Sequence, residues 1–206
     1  MEMLVLLGSF LAIGGYLLGS FSSAVVVSRL MELPDPRTQG SGNPGATNVL
    51  RLGGKKAALI TLVLDILKGV LAVFIARWLT VSPDILASVV FAVFLGHLFP
   101  IFFAFQGGKG VATAFGAFLV LSWPVALTAL VIWLTVALLF RYSSAASLMA
   151  AALTPLAMFW FTTEWIYILI NFLMSLLLIW RHRSNIRNLI AGTEIKIGAK
   201  PTINHE

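Results

Sequence analysis

The chain contains no cysteine, which excludes disulfide staples, thiolate metal sites and a cysteine nucleophile. Charge is scarce too. Only 11% of the 206 residues are Asp, Glu, Lys or Arg, where soluble domains carry about 25%. Acids are the scarcest, 8 against 14 Lys and Arg, which leaves a net charge of +6. Hydrophobic residues make up 59%, more apolar surface than a soluble protein of this size can hide. The class this implies is an all-α, polytopic integral membrane protein. Nothing basic precedes the first apolar run, so that run reads as a retained span and not as a cleaved signal.

The long apolar runs define the spans. Helices are predicted over residues 3 to 28, 57 to 79 and 85 to 105. The stretch 111 to 140 is long for one span and short for two. Ser122, Trp123 and Pro124 near its middle suit a turn. The stretch 143 to 180 divides at Thr162, Thr163 and Glu164. Charge decides the ambiguous case. Residues 29 to 56 carry Arg29, Arg37, Arg51, Lys55 and Lys56, and residues 181 to 200 carry Arg181, Arg183, Arg187, Lys196 and Lys200. Both segments are expected to be cytoplasmic, so an even number of spans must separate them. Splitting the ambiguous stretch at Pro124 gives seven transmembrane helices in a single domain over 1–206, with the N-terminus periplasmic and the C-terminus cytoplasmic. Every Lys and Arg except Lys68 and Arg77 then lies inside. Such placement fits a lipid bilayer as the partner and not a nucleic acid.

The same topology brings four polar regions to one face: 37–56, 106–116, 141–147 and 181–194. The first contains SGNPGATNVLR, residues 41 to 51. Gly40, Gly42 and Gly45 admit backbone conformations closed to other residues. Ser41, Asn43, Thr47 and Asn48 supply neutral hydrogen-bond groups, and Arg51 a cationic fork suited to phosphate. Successive N–H groups in such a loop can form an anion nest, though a plain turn uses the same residues. The spacing is not that of a Walker A loop.

QGGKGVATAFG, residues 106 to 116, repeats the logic. Gly107, Gly108 and Gly110 surround Lys109, and an apolar helix follows at once, so its N-terminal dipole adds to the lysine charge. A snorkelling anchor lysine is the plainer alternative. RYSSAAS, residues 141 to 147, offers Ser144 and Ser147; taken alone it reads as an interfacial aromatic followed by helix-packing serines. RHRSNIRNLIAGTE, residues 181 to 194, is basic and amphipathic. It suits an interfacial helix on anionic lipid, yet His182 and Asn185 share one helical face and could serve a site. Within the spans, Asp65 and Lys68 form an i, i+3 pair, either structural or beneath a site. His97 and Pro100 mark a polar spot and a kink.

Together these four motifs, in order and at similar spacing over nearly the whole chain, closely resemble the bacterial acyl-phosphate:glycerol-3-phosphate acyltransferases, the PlsY family. The resemblance implies a seven-helix enzyme of the bacterial inner membrane with its active site on the cytoplasmic face. The reaction it implies moves a fatty acyl group from acyl phosphate to the 1-hydroxyl of glycerol 3-phosphate. Lysophosphatidic acid and phosphate result, the first step of phospholipid synthesis. No cofactor or metal is implied, and the enzyme that produces acyl phosphate becomes a candidate protein partner. By resemblance and chemistry, Ser41, Asn43, Gly45, Thr47, Asn48, Arg51, Gly107, Gly108, Gly110 and Ser147 are expected to hold substrate phosphates. Lys109, His182, Asn185 and Ser144 are the expected catalytic set. His182 is the one side chain in these loops suited to general-base work, unless the donor's own phosphate takes the proton.

The HxxxxD motif of another acyltransferase class is absent: His97 is followed five places on by Phe102, His182 by Arg187, and His205 lies at the end of the chain. Glu32, Asp35 and Glu194 make no carboxylate pair at metal-ligand spacing. A small transporter or flippase for an anionic solute is the rival reading. It expects midplane sites, often with internal repeats, and no repeat is found here.

Overall fold

The structure, a computed structural model, describes residues 2–199; Lys200 and His205 lie outside the described residues. The regular elements of the described residues are all helices. Helix α1 runs Glu2–Gly19 and α2 Ser23–Leu30. Helix α3 is Ala46–Leu79 and α4 Pro83–Leu98, followed by a 3-10 turn at Ile101–Phe103. Then come α5 Val111–Leu121, α6 Trp123–Phe140, α7 Ser143–Phe161, α8 Trp165–Arg181 and α9 Arg183–Ile190. The breaks fall where the sequence withdraws helix support: Pro83 and Pro124 each sit in a first turn, where a missing N–H costs nothing.

Five helical segments are long and apolar enough to cross a bilayer, or six when the bent α8–α9 pair counts as one. The predicted turn at Ser122 is present, but α5 has only 11 residues. Its rise of about 16 Å is well short of a hydrocarbon core of about 30 Å. It packs among α3, α4 and α6 and does not stand alone in lipid.

Two other boundaries differ from expectation. The predicted 3–28 helix divides at residues 20–22, where Gly19 and two serines interrupt the run. The Phe21 carbonyl freed there accepts from Lys68 Nζ at 2.9 Å. Helix α3 begins well before residue 57, so much of the predicted 37–56 loop is helical. Gly54, at φ 76° and ψ −171°, kinks it and sets Ala46–Gly53 apart from the span.

Glycine lets the key helices touch. A methyl on Gly19 would strike the Val93 backbone of α4, and one on Gly96 would strike α1 at the Tyr16 carbonyl. Gly69 and Gly116 make the same close approach between α3 and α5. Small residues permit this backbone proximity, which gives dispersion contact where hydrophobic burial offers little drive. The core, centred on Val90, Val93, Phe94 and Leu98 of α4, packs behind the face on which the polar segments meet.

Candidate active site

The first loop is folded by a side chain from the helix it precedes. Asn48, 1% exposed, donates both amide hydrogens, to the Pro36 carbonyl at 2.9 Å and the Gln39 carbonyl at 3.0 Å. Its Oδ1 accepts the Ser41 N–H at 2.9 Å. Gly40 and Gly42 take positive φ to permit the path. The loop is anchored on its outer side by a forked Arg37–Asp35 pair at 2.6 Å; hydrogen bonds from Arg37 hold the Asp35 carboxyl below its ordinary pKa. Asn48, expected among the phosphate-holding groups, borders the cavity, while both of its amide hydrogens brace the loop as a scaffold.

The second loop turns on Ala104 and Phe105, both left-handed. Gly108 donates its N–H to the His97 carbonyl at 3.1 Å. Arg181 donates to the Gly107 carbonyl at 2.6 Å and the Gly108 carbonyl at 3.1 Å. A methyl on Gly107 would meet the His97 and Leu98 carbonyls, and one on Gly108 the His97 ring. Both glycines are buried and neither lines the cavity described next. In this structure, the two glycines expected at a phosphate let the loop lie on α4 and present Lys109.

A cavity of about 420 Å³ opens beside these loops. Its head is lined from the first motif by Ser41, Asn43, Gly45, Thr47, Asn48 and Arg51. Lys109 and Gly110 of the second, Ser144 and Ser147 of the third, and His182 and Asn185 of the fourth complete it. The first turns of α3, α5 and α7 all border this head, through Ala46, Val111 and Ser143. Their unpaired N–H groups and dipoles give the head a positive electrostatic character. Thr47 Oγ1 and Ser143 Oγ, 3.2 Å apart, tie two of these turns together.

A chain of polar contacts crosses the head. Lys109 Nζ donates to Asn185 Oδ1. Asn185 Nδ2 donates to Glu194 Oε1 at 2.7 Å, and Ser144 Oγ to the same oxygen at 2.6 Å. An ammonium on one side and a carboxylate on the other fix which way the Asn185 amide points. Glu194 was read only as a carboxylate without a metal partner. Its signal was available: it is an acid closing an otherwise basic motif. Ser147 Oγ accepts from Trp133 Nε1 at 3.1 Å and donates to the Ser143 carbonyl at 2.8 Å, so its hydroxyl hydrogen is engaged in the helix.

Burial shapes the two titrating groups. Lys109 is pushed down to about 8, chiefly because burial penalises the ammonium, while the Glu194 charge opposes the shift. His182 is 3% exposed and lowered to about 4 by burial and then by the Lys109 charge. Its Nδ1 lies 2.9 Å from the Leu178 carbonyl. A carbonyl only accepts, so Nδ1 carries the proton and Nε2 keeps its lone pair. Below the head, Asp65 and His97 border the cavity, and Asp65 pairs with Lys68 at 2.9 Å. Deeper still the walls turn apolar, with Ile66, Phe115, Phe118, Leu130 and Leu178.

The sequence model of a family described as "Glycerol-3-phosphate acyltransferase" matches residues 9–192. Among curated relatives, the glycerol-3-phosphate acyltransferase of Thioalkalivibrio sulfidiphilus is 54% identical over 196 residues, covering 95% of this chain and 97% of that one. That of Methylococcus capsulatus is 53% identical over 185 residues, covering 90% and 93%. The crystal structure of PlsY (YgiH), an integral membrane glycerol 3-phosphate acyltransferase, in its glycerol 3-phosphate form, superimposes with a TM-score of 0.88 at 40% identity, covering 93% of this chain and 96% of the other. The lysophosphatidic acid form gives 0.85 at 38% identity, covering 93% and 95%.

Proposed function

This chain belongs to the glycerol-3-phosphate acyltransferase family, and from that premise we propose that its acyl donor is acyl phosphate, consumed at the cytoplasmic face of a bacterial inner membrane. The observation that carries the reading is one cavity with two chemistries. Its head gathers Arg51, Lys109 and three helix N-termini, while its depth is hydrocarbon-like. Two substrates that both bear phosphate, one of them with a fatty tail, match that division. Arg51 with the first turn of α3 would hold one phosphate, and Lys109 with the first turn of α5 the other. The half-exposed Leu62 on α3 and Leu130 and Leu134 on α6 give the tail a way in from the bilayer.

Acyl phosphate is a mixed anhydride and already carries its leaving group, so no covalent enzyme nucleophile is needed. The 1-hydroxyl oxygen of glycerol 3-phosphate attacks the acyl carbon. The acyl C–O bond to phosphate breaks, and an ester bond forms. The hydroxyl proton ends on the departing phosphate, so the products are 1-acyl-glycerol 3-phosphate and hydrogen phosphate. His182 Nε2 accepts a hydrogen bond from the attacking hydroxyl and orients it. A group that titrates near 4 is a weak base for an alcohol, which favours the donor phosphate as proton acceptor. Lys109 and the α5 N-terminus offset the charge growing on the phosphate, the electrostatic part of the acceleration.

Seven crossings, with α1–α2 as the first and the short α5 as the fourth, complete the proposal. They put the starts of α3, α5 and α7 and the end of α8 on one side of the membrane. The test is direct. Purified protein given acyl phosphate and glycerol 3-phosphate should release phosphate only when both are present. Activity with acyl-CoA but none with acyl phosphate would overturn the donor assignment.

A further inference from the structure

The apolar part of the cavity has an end. Its lining along α7 follows one helical face, Ser143, Ser147, Ala150, Ala151 and then Thr154, and stops there. Along α8 it runs back from His182 through Leu178, Met174 and Ser175 to Asn171, and stops. Thr154 lies as far along α7 from Ser143 as Asn171 lies along α8 from His182, in each case about 16 Å of helix. The two final residues meet: Thr154 Oγ1 is 3.3 Å from Asn171 Oδ1. One turn further along α7, Met158 is completely buried. Asn171 is 1% exposed, and among the described residues its Nδ2 has no hydrogen-bond partner.

A polar pair at the bottom of a greasy groove is costly unless it is used, because an unpaired buried amide forfeits its solvation. We propose that Thr154 and Asn171 form the floor of the acyl groove and set the length of chain the enzyme accepts; this rests on the acyl-phosphate reading above. The walls above the floor welcome methylenes. The floor does not: a longer chain must press its methyl end against a packed amide and hydroxyl, where it finds neither room nor an apolar surface. Each methylene that fits an apolar pocket improves discrimination about 10-fold or more. The first one that reaches the floor reverses that gain. Preference should therefore rise with chain length and then fall sharply.

The test is a chain-length profile of kcat/KM over saturated acyl phosphates, measured on the purified protein and on variants that move the floor in opposite directions. Thr154→Ala with Asn171→Ala lowers it and should move the optimum to longer chains, changing the long-to-short ratio about 10-fold. Ala151→Leu fills the groove a turn higher, leaves Thr154 and Asn171 in place, and should move the optimum to shorter chains by a similar factor. The KM for glycerol 3-phosphate should hold in both, which separates a moved floor from a damaged fold. An unchanged profile in both variants would overturn the proposal and place the chain outside the groove, in the bilayer. Failure of the donor reading looks different: the unmodified protein would then turn over no acyl phosphate of any length.

Discussion

His182 Nδ1 donates to the Leu178 carbonyl oxygen across 2.9 Å, one turn back along α8. The bond fixes the tautomer and leaves Nε2 as an acceptor. Burial and the neighbouring Lys109 hold the ring neutral down to about pH 4. His182 is therefore held neutral at pH 7, and a group lowered so far is a weak base for an alcohol. We expect His182→Ala to lose about 10-fold in kcat, because general-base catalysis is worth about 10²–10⁴ and orientation less. His182→Gln, which keeps an acceptor, should recover part of the loss. Any acid limb of the pH profile should persist in that variant, since it belongs to the titration of substrate phosphate near pH 6. A loss of 10³-fold or more in His182→Ala, with the acid limb gone, would restore His182 as the base.

Lys109 gives the opposite limb. Its pKa, lowered to about 8, means the free enzyme carries the ammonium below that pH and loses it above. A charge that holds phosphate is then present at pH 7 and disappears as pH rises through about 8. The profile of kcat/KM for acyl phosphate, which reports groups in the free enzyme, should be level from about pH 7 to that point and fall beyond it. Lys109→Arg keeps the charge far higher and should flatten the fall, although its rate will drop because an Arg fork does not reproduce a point contact to Asn185. A basic limb that stays at the same pH in Lys109→Arg would assign it to another group.

Much of this site was legible before any coordinates. Positive-inside counting puts the four polar regions on one face, and residues of all four do line one cavity. What could not be read was division of labour within a motif. Gly107, Gly108 and Gly110 sit together in sequence, yet only Gly110 borders the cavity, because the loop lies flat on His97 and Leu98 of a different helix. Asn48 and Thr47 are neighbours, but helical geometry turns one amide back into the loop and one hydroxyl toward Ser143. The Lys109–Asn185 contact spans 76 positions and depends on the second glycine-rich loop meeting α9, which no local pattern encodes. The break in α3 at Gly54 was hidden because glycine is common in helical membrane segments.

Asn48 tests the scaffold assignment. Asn48→Ala strands two carbonyls and one N–H of the 36–41 segment together. At about 0.5–1.5 kcal/mol per lost hydrogen bond, the local structure should weaken by about 2–4 kcal/mol. The expected result is a lower Tm in detergent and faster proteolysis between Asp35 and Asn43. The KM for glycerol 3-phosphate should rise because Ser41 and Arg51 lose their placement. Asn48→Asp keeps the Ser41 bond but sets a buried carboxylate oxygen against the Pro36 and Gln39 carbonyls, and should destabilise at least as much. If Asn48→Ala kept its Tm and its loop resistance while the KM rose, the amide would be a direct phosphate ligand after all.

The last prediction concerns sidedness, on which every contact between the four motifs depends. Because the chain has no cysteine, single cysteines report position without background. Ser41→Cys and Gln106→Cys probe the two glycine-rich loops, and Val81→Cys probes the turn between α3 and α4; all three positions are exposed. With α3 crossing once, Val81 must lie across the bilayer from the loops. A membrane-impermeant maleimide applied to intact cells should label Val81→Cys and spare the other two. Inverted vesicles should give the reverse pattern. Arg51 and Lys109 cannot hold two phosphates in one cavity unless their loops share a side. Labelling of Ser41→Cys and Gln106→Cys from opposite faces would therefore remove the acyltransfer geometry itself. Labelling of both from outside would keep the geometry and reverse only its orientation, leaving the enzyme facing away from cytoplasmic glycerol 3-phosphate.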